Sequence, residues 1–198
     1  MKPPAVLLAG GLARRMGGGD KPLRLLGGKP ILAHVIARLA PQTSALAINA
    51  NGDPARLDEF GLPVLVDAIP GYPGPLAGIQ AGMAWAQRSQ TGATHIASIP
   101  GDLPFLPPDL IARLEDVLAA GDAEIAIARS EGHVHPVVAL WPVGLADALH
   151  RAVEDGLRRV REFQGRYRVA YADFPVGAID PFFNVNTPED LERAERLV

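Results

Sequence analysis

A glycine-rich segment with several cations follows the first apolar run of the chain. Residues 8–21 read LAGGLARRMGGGDK and contain five glycines together with Arg14, Arg15 and Lys21. Glycines let backbone N–H groups approach an anion and the cations neutralise its charge, so the segment predicts a cradle for phosphate groups. A flexible turn is the alternative, but a turn needs one or two glycines and gains nothing from three cations. No G-x-G-x-x-G or G-x-x-x-x-G-K-[ST] pattern fits, which disfavours dinucleotide-dependent dehydrogenases and P-loop ATPases.

A carboxylate stands directly after a buried apolar run in Ile99-Pro100-Gly101-Asp102. Mg²⁺ usually takes one or two carboxylates and leaves its other positions to water and substrate phosphates, so Asp102 is a candidate metal ligand. Judged by position alone, Asp102 could equally cap a turn instead of binding a metal. The predicted phosphate cradle earlier in the chain favours the metal-binding role. Asn184 and Asn186, before the final helix, either complete a metal or phosphate site or hydrogen-bond their own loop.

Further polar residues and helix starts lie where ligands would bind. Asn49 and Asp67 stand at the carboxyl ends of predicted strands and are weak signals individually. Gly74-Pro75 opens a predicted helix whose free N–H groups favour an anion, although a simple helix start explains the pair equally well. Arg158-Arg159 begins an arginine-rich stretch, which usually marks a solvated helix face and, as the sharper alternative, a second phosphate site.

Composition limits the classes of partner. The net charge is −3 over 198 residues, so there is no broad basic surface for nucleic acid or an anionic membrane, and an anionic ligand must be met locally. The chain has no cysteine, which excludes disulfides, thiolate metal sites and cysteine nucleophiles and fits a cytoplasmic protein. The apolar stretch after Lys2 is too short for a signal peptide, and no run approaches the length of a membrane span. We expect one domain over residues 1–198.

Short apolar runs alternate with helical patterns, and this alternation must position the polar residues. The runs at 5–9, 45–49, 64–66 and 95–99 predict buried strands, and helical spacing predicts helices within 31–39 and 110–118. Such an order predicts an α/β fold with a largely parallel sheet and helices on both faces. Ligands of these sheets bind outside the carboxyl ends of the strands.

The last third of the chain is less regular. It contains strand patterns at 124–129, 136–140 and 167–171 and a helix pattern from about Gly144, which predict a sheet that becomes mixed. The final helix has Thr187 as its N-cap, Pro188 at N1 and an acid at N3, and we expect it to run close to Val198.

Taken in chain order, these segments resemble the α/β nucleotidyltransferases and, in detail, the molybdenum cofactor guanylyltransferases. The opening motif alone indicates the broad superfamily, whereas the ordered set is specific and covers essentially the whole chain. The set comprises Leu8-Ala9-Gly10-Gly11, Arg15-Met16-Gly17-Gly18, Asp20-Lys21, Leu26-Gly27-Gly28-Lys29-Pro30, Asn49-Ala50-Asn51, Asp67, Tyr72-Pro73-Gly74-Pro75-Leu76-Ala77-Gly78, Pro100-Gly101-Asp102, Pro107-Pro108-Asp109-Leu110, His135-Pro136, Arg158-Arg159 and Asn184-Val185-Asn186-Thr187-Pro188-Glu189-Asp190-Leu191.

The resemblance implies a single-domain, Rossmann-like three-layer fold with a mostly parallel central sheet. The implied GTP-binding residues are Leu8, Ala9, Gly10, Gly11, Lys21, Asn49, Asp67 and Asp102. The implied catalytic residues are Arg15, Lys21 and Asp102, and the implied Mg²⁺ ligands are Asp102 and Asn186, with Asn184 as the alternative amide. The implied molybdopterin contacts are Gly74, Pro75, Arg158, Arg159 and Asn184.

The implied reaction transfers GMP from GTP to the terminal phosphate of molybdopterin and releases pyrophosphate. Transient contacts with cofactor-synthesis proteins and molybdoenzyme chaperones are implied as well. The nearer alternative is a cytidylyltransferase acting on molybdopterin or another phosphorylated alcohol, although such relatives tend to open with Leu-Ala-Ala-Gly. The alternative from another class is a non-catalytic nucleotide-binding protein, against which the presence of Lys21 and Asp102 argues.

Overall fold

The computed structural model describes residues 1–10, 21–69, 74–90 and 92–198. The strands are β1 (Ala5–Leu8), β2 (Leu25–Leu26), β3 (Lys29–Pro30), β4 (Leu46–Asn49), β5 (Val64–Leu65), β6 (His95–Pro100), β7 (Ile125–Ser130), β8 (His133–Pro142) and β9 (Val169–Phe174). The α-helices are α1 (Ile31–Leu39), α2 (Pro75–Ser89), α3 (Leu110–Ala119), α4 (Ala146–Glu154), α5 (Val160–Gln164) and α6 (Pro188–Glu195). Short 3₁₀ segments occupy Lys21–Leu23, Ala40–Gln42, Pro54–Phe60 and Val143–Leu145.

Within the described ranges, seven strands form one sheet in the order β5-β4-β1-β6-β8-β7-β9. The pairs β4–β5, β1–β4, β1–β6 and β7–β9 are parallel, and β8 runs antiparallel between β6 and β7. The predicted α/β sheet, mostly parallel and mixed towards the end of the chain, is therefore confirmed.

Helices cover both faces of this sheet because successive side chains of a strand point to opposite faces. Leu7 of β1 packs with Leu32 of α1 and Leu114 of α3 in one core cluster. Its neighbour Val6 packs with Met83 of α2 in a second cluster, to which α4 and α5 also contribute. The sheet between these two helical layers confirms the three-layer architecture.

Element bounds agree closely with the sequence patterns in the first half of the chain. The four strands predicted in the first half occur within one residue of their expected limits. The N-terminus of α6 is also as predicted, because Thr187 accepts from the Asp190 N–H while the Asp190 carboxylate accepts from the Thr187 N–H. The helix ends at Glu195, and the short helix α5 and the hairpin β2–β3 were not predicted.

The hairpin β2–β3 packs against the C-terminal helix α6 and the loop before it. Its turn residues Gly27 and Gly28 have φ values of 55° and 77°. A type I′ hairpin turn requires positive φ at both of its central residues, which glycine adopts readily. Leu26 and Ile31 pack against Val185 and Ala194 in a small separate cluster. The segment after Lys21 is thereby packed against the segment that carries Asn186. Within the described ranges, no helix combines the length and apolar character that a membrane crossing needs.

Candidate active site

The carboxyl ends of three parallel strands bring the predicted site residues to one edge of the sheet. The Ala9 N–H donates to the Asn49 carbonyl at 2.9 Å, and the Gly101 N–H donates to the Leu8 carbonyl at 2.9 Å. A Cβ on Gly101 would lie 3.2 Å from the Leu8 carbonyl oxygen, so glycine permits this close approach. Asn49, Asp102 and the start of the glycine-rich segment consequently lie at neighbouring strand ends.

Lys21 joins the carboxylate of Asp102 to the amide of Asn186. Its Nζ donates to Asp102 Oδ2 and to Asn186 Oδ1, and the lysine is only 9% exposed. The Val185 N–H donates to the Asp102 carbonyl at 3.2 Å, which ties the loop before α6 to the turn after β6. Three residues that are far apart in the chain therefore form one polar cluster, hereafter the Lys21–Asp102–Asn186 cluster.

The second carboxylate oxygen of Asp102 has the properties of a cation ligand. Oδ1 is buried and has no hydrogen-bond partner among the described residues. Leaving a buried carboxylate oxygen without a partner is costly, and a bound cation removes that cost. Within the described ranges, no group of three or more His, Cys, Asp or Glu side chains could hold a metal. One carboxylate with one amide oxygen fits a divalent ion that also binds water and phosphate.

Asn49 and Asp67 form a second polar group at the ends of β4 and β5. Asn49 Nδ2 donates to Asp67 Oδ1 at 2.9 Å and to the Leu65 carbonyl at 3.1 Å. Asn51 Nδ2 donates to Asp67 Oδ2 at 2.7 Å, and Asn51 Oδ1 accepts from the Asp67 N–H at 3.0 Å. Both oxygens of the Asp67 carboxylate are thus held in a fixed orientation.

Asn51 was not among the candidate site residues, although the sequence carried a signal for it. It stands two residues after Asn49, directly beyond the end of β4. The contact with Asp67 depends on the pairing of β4 with β5, which the spacing of Asn51 does not reveal.

Helix α2 begins beside this second group. Gly74 is its N-cap and Pro75 its first residue, as the sequence indicates, and no side chain of the described residues caps the helix. Gly78, one turn further, faces Asn49 and Leu8 so closely that a Cβ there would overlap Asn49 Oδ1. The N-terminus of α2 is consequently packed against the carboxyl end of the sheet.

Arg158 and Arg159 lie at the junction of α4 and α5. Arg158 donates to the carbonyls of Val153 and Leu157, at 3.4 and 3.1 Å. Arg159 pairs with Glu162 at 3.3 Å, with a side chain that is 82% exposed. None of these three contacts reaches the Lys21–Asp102–Asn186 cluster, so they do not test a role for the two arginines in a ligand site.

The remaining candidate residues lie in the glycine-rich segment and in the loop before α6. Ala9 is buried and Gly10 is exposed. A Cβ on Gly10 would meet no atom within 4 Å among the described residues. Gly11 and Arg15 fall within residues 11–20 and lie outside the described residues. Asn184, in the loop before α6, is exposed.

The chain matches the family model described as "MobA-like NTP transferase domain" over residues 5–169. A molybdenum cofactor guanylyltransferase from Bradyrhizobium sp. (strain ORS 278) is 54% identical over 195 residues, covering 98% of this chain and 92% of the relative. A second, from Rhizobium meliloti (strain 1021), is 49% identical over 199 residues, covering 98% and 90%. This chain belongs to the molybdenum cofactor guanylyltransferase family.

A solved structure supports the same assignment. Molybdopterin-guanine dinucleotide biosynthesis protein A from Archaeoglobus fulgidus superposes with a TM-score of 0.75 at 25% identity, covering 98% of this chain and 97% of the other. As a member of the guanylyltransferase family, the chain is a nucleotidyltransferase enzyme of molybdenum cofactor biosynthesis, as the resemblance implied. The family implies a nucleotide and molybdopterin as substrates and a divalent metal as cofactor, and the donor set around Asp102 fits such a metal.

Proposed function

We propose that this enzyme transfers GMP from GTP to the terminal phosphate of molybdopterin with Mg²⁺ as its cofactor, in the cytoplasm. The observation that carries the proposal is the Lys21–Asp102–Asn186 cluster at the carboxyl edge of the sheet. A cation and an amide meet there with a carboxylate whose buried Oδ1 has no partner among the described residues. The relatives that share about half of this sequence are molybdenum cofactor guanylyltransferases, which supports the choice of substrates.

The proposed reaction needs no general base. A terminal phosphate oxygen of molybdopterin attacks the α-phosphorus of GTP, and the bond from that phosphorus to the bridging oxygen breaks as pyrophosphate leaves. A phosphate monoester has a second pKa of about 6, so the nucleophile is already largely dianionic at neutral pH. The task of the protein is to bring two polyanions together, orient them and stabilise the developing charge.

The cluster residues carry the electrostatic part of this task. Asp102 and Asn186 would hold Mg²⁺, which supplies charge neutralisation at the α-phosphate and the leaving group. Lys21 is close enough to both residues for its ammonium to contact phosphates of a nucleotide bound there. Arg15 and the backbone N–H groups of the glycine-rich segment, including Gly10 and Gly11, add further positive potential.

The other strand ends bind and orient the nucleoside in this proposal. Leu8 and Ala9 line the base, and Asn49 with Asp67 provides hydrogen-bonding groups whose orientation is set before the nucleotide arrives. A site that hydrogen-bonds the edge of guanine leaves buried groups unpaired with another base, which favours GTP strongly.

In this proposal, molybdopterin binds on the side of the Lys21–Asp102–Asn186 cluster that the nucleotide leaves free. Gly74 and Pro75 contribute the N-terminus of α2, Asn184 contributes an exposed amide, and Arg158 and Arg159 contribute cations for the phosphate. Transient contacts with cofactor-synthesis proteins and molybdoenzyme chaperones complete the proposal.

The direct test is incubation with Mg²⁺, molybdopterin and each of the four nucleoside triphosphates, followed by the mass of the product. We expect the guanine dinucleotide from GTP, and its absence with every nucleotide would refute the proposal. Equal product from CTP would identify the cytidylyltransferase instead. Asp102→Ala should be folded and nearly inactive, whereas Asp109→Ala removes a more exposed carboxylate paired with Arg113 and serves as the control.

A further inference from the structure

A buried polar group joins the β7–β8 pair to the loop before α6. Ser130, the last residue of β7, is 0% exposed. Its Oγ lies 2.7 Å from Nε2 of His135 in β8 and donates to Asp180 Oδ2 at 2.8 Å. A serine hydroxyl has one hydrogen, which the Asp180 carboxylate accepts, so His135 donates its Nε2–H to the Ser130 oxygen. Burial lowers the pKa of His135, although Asp180 opposes the shift, which agrees with a neutral ring.

This arrangement is not that of a nucleophilic triad. In such a triad the acid contacts the imidazole and the imidazole takes the serine proton. Here the acid accepts from the serine, and the serine has no exposed surface from which to attack a substrate. The group therefore has a role in holding chain segments together.

Asp180 and Phe182 anchor the start of the loop. The second carboxylate oxygen of Asp180, Oδ1, accepts from the Phe182 N–H at 2.8 Å, and the Asp180 carbonyl accepts from the Phe183 N–H at 3.0 Å. The Phe182 ring lies 4.6 Å from the His135 ring and 5.1 Å from the Phe174 ring, centroid to centroid. One end of the loop is thus attached to β7, β8 and β9 by hydrogen bonds and aromatic contacts.

The other end of the same loop reaches the proposed active site. Val185 is 0% exposed and donates its N–H to the Asp102 carbonyl, and Asn186 accepts from Lys21. Only a few residues, Asn184 among them, separate these contacts from Phe182. A loop held at both ends has little freedom to shift, so the anchor sets where the two asparagine side chains lie.

We propose that Ser130, His135 and Asp180 are positioning residues for the loop that carries Asn184 and Asn186. They contact no substrate themselves and act by fixing the distance from Asn186 to Asp102. The proposal rests on the function proposed above, since it assigns the asparagines to that site. A small misplacement of such groups is enough to lower a rate strongly.

Hydrogen exchange tests the anchor without reference to activity. Ser130→Ala removes the central hydroxyl, and Ser98→Ala is the matched control. Ser98 is also 0% exposed, and its hydroxyl bonds to Val137 and Trp141 of β8. We expect amides 182–187 to exchange about tenfold faster in Ser130→Ala than in Ser98→Ala at equal denaturation midpoint. Equal exchange in the two variants would overturn the proposal.

Metal binding and kinetics then test the positioning role. Titration with Mn²⁺ should show about tenfold weaker binding in Ser130→Ala, and kcat should fall with little change in KM for GTP. Asp180→Asn should act in the same direction and replaces Ser130→Ala if that variant fails to fold. His135→Gln retains a donor and should recover part of the loss that His135→Ala causes.

The outcomes separate this proposal from the proposed function. Faster exchange with unchanged Mn²⁺ affinity and unchanged kcat would leave a purely structural contact and overturn the positioning role. A parent protein that bound no Mn²⁺ and formed no dinucleotide would refute the proposed function, while the exchange measurement would still decide whether the anchor exists.

Discussion

The substitution Gly78→Ala tests whether the Asn49–Asp67 pair binds the nucleotide. A Cβ at position 78 would overlap Asn49 Oδ1 and lie 2.8 Å from Asn49 Cγ and from Leu8 Cδ2. Asn49 is only 6% exposed, and its amide is held by hydrogen bonds to the Leu65 carbonyl and to Asp67. The added methyl must therefore displace the amide that donates to Asp67.

Two losses and one gain determine the expected change in the free energy of unfolding. Overpacking of a core position typically costs about 1–3 kcal/mol. The weakened hydrogen bond to a charged partner costs about 1.5–3 kcal/mol, and alanine recovers about 1 kcal/mol through its higher helix propensity. We expect a net loss in the free energy of unfolding of about 1.5–5 kcal/mol. Displacement of one nucleotide contact should weaken GTP binding by about tenfold.

Gly82→Ala supplies the matched control on the same helix. A Cβ at Gly82 would lie 2.7 Å from Cβ of Val6, which belongs to the core rather than to a strand end. Urea unfolding should show both variants destabilised, whereas calorimetric titration should show GTP affinity reduced in Gly78→Ala alone. Unchanged GTP affinity in folded Gly78→Ala, or an equal loss in Gly82→Ala, would refute the assignment of Asn49.

Three further predictions address the cation, the second substrate and the pH dependence. Lys21→Met should increase the Mn²⁺ affinity of the nucleotide-free protein by about tenfold in calorimetry, because the ammonium no longer occupies Asp102 Oδ2. Weaker Mn²⁺ binding would contradict competition between the lysine and the metal. Arg158→Ala combined with Arg159→Ala should weaken molybdopterin binding at least about tenfold in calorimetric titration and leave GTP affinity nearly unchanged, and the reverse pattern would place them at the nucleotide. Burial lowers the pKa of His95 in the folded state below its usual value of 6.5. As the pH falls, the unfolded state therefore binds a proton at His95 before the folded state does, and stability is lost from about pH 6.5 downwards. Urea unfolding of His95→Gln at pH 8 and pH 5 should therefore show a smaller acid loss than the parent, and an equal loss would contradict this.

The local elements of the fold could be predicted from the sequence. The four strands of the first half occur where short, mainly apolar runs predict them, because strands covered on both faces have little polar surface. The N-cap of α6 was equally predictable, since Thr187 and Asp190 satisfy each other's backbone N–H groups within a single turn. The hairpin β2–β3 was not predicted, because its strands have two residues each and Lys29–Pro30 carries no apolar run.

The candidate residues could be chosen from their chemistry and from their place at strand ends, but their contacts could not. That Lys21 donates to both Asp102 and Asn186 depends on how Leu26 of the hairpin β2–β3 packs against Val185 in the loop before α6. The Ser130, His135 and Asp180 group depends likewise on the antiparallel insertion of β8 beside β7. Spacing along a chain determines the helix or strand and the face on which a side chain lies. Which side chains meet across the sheet edge is decided by the packing of elements distant in sequence.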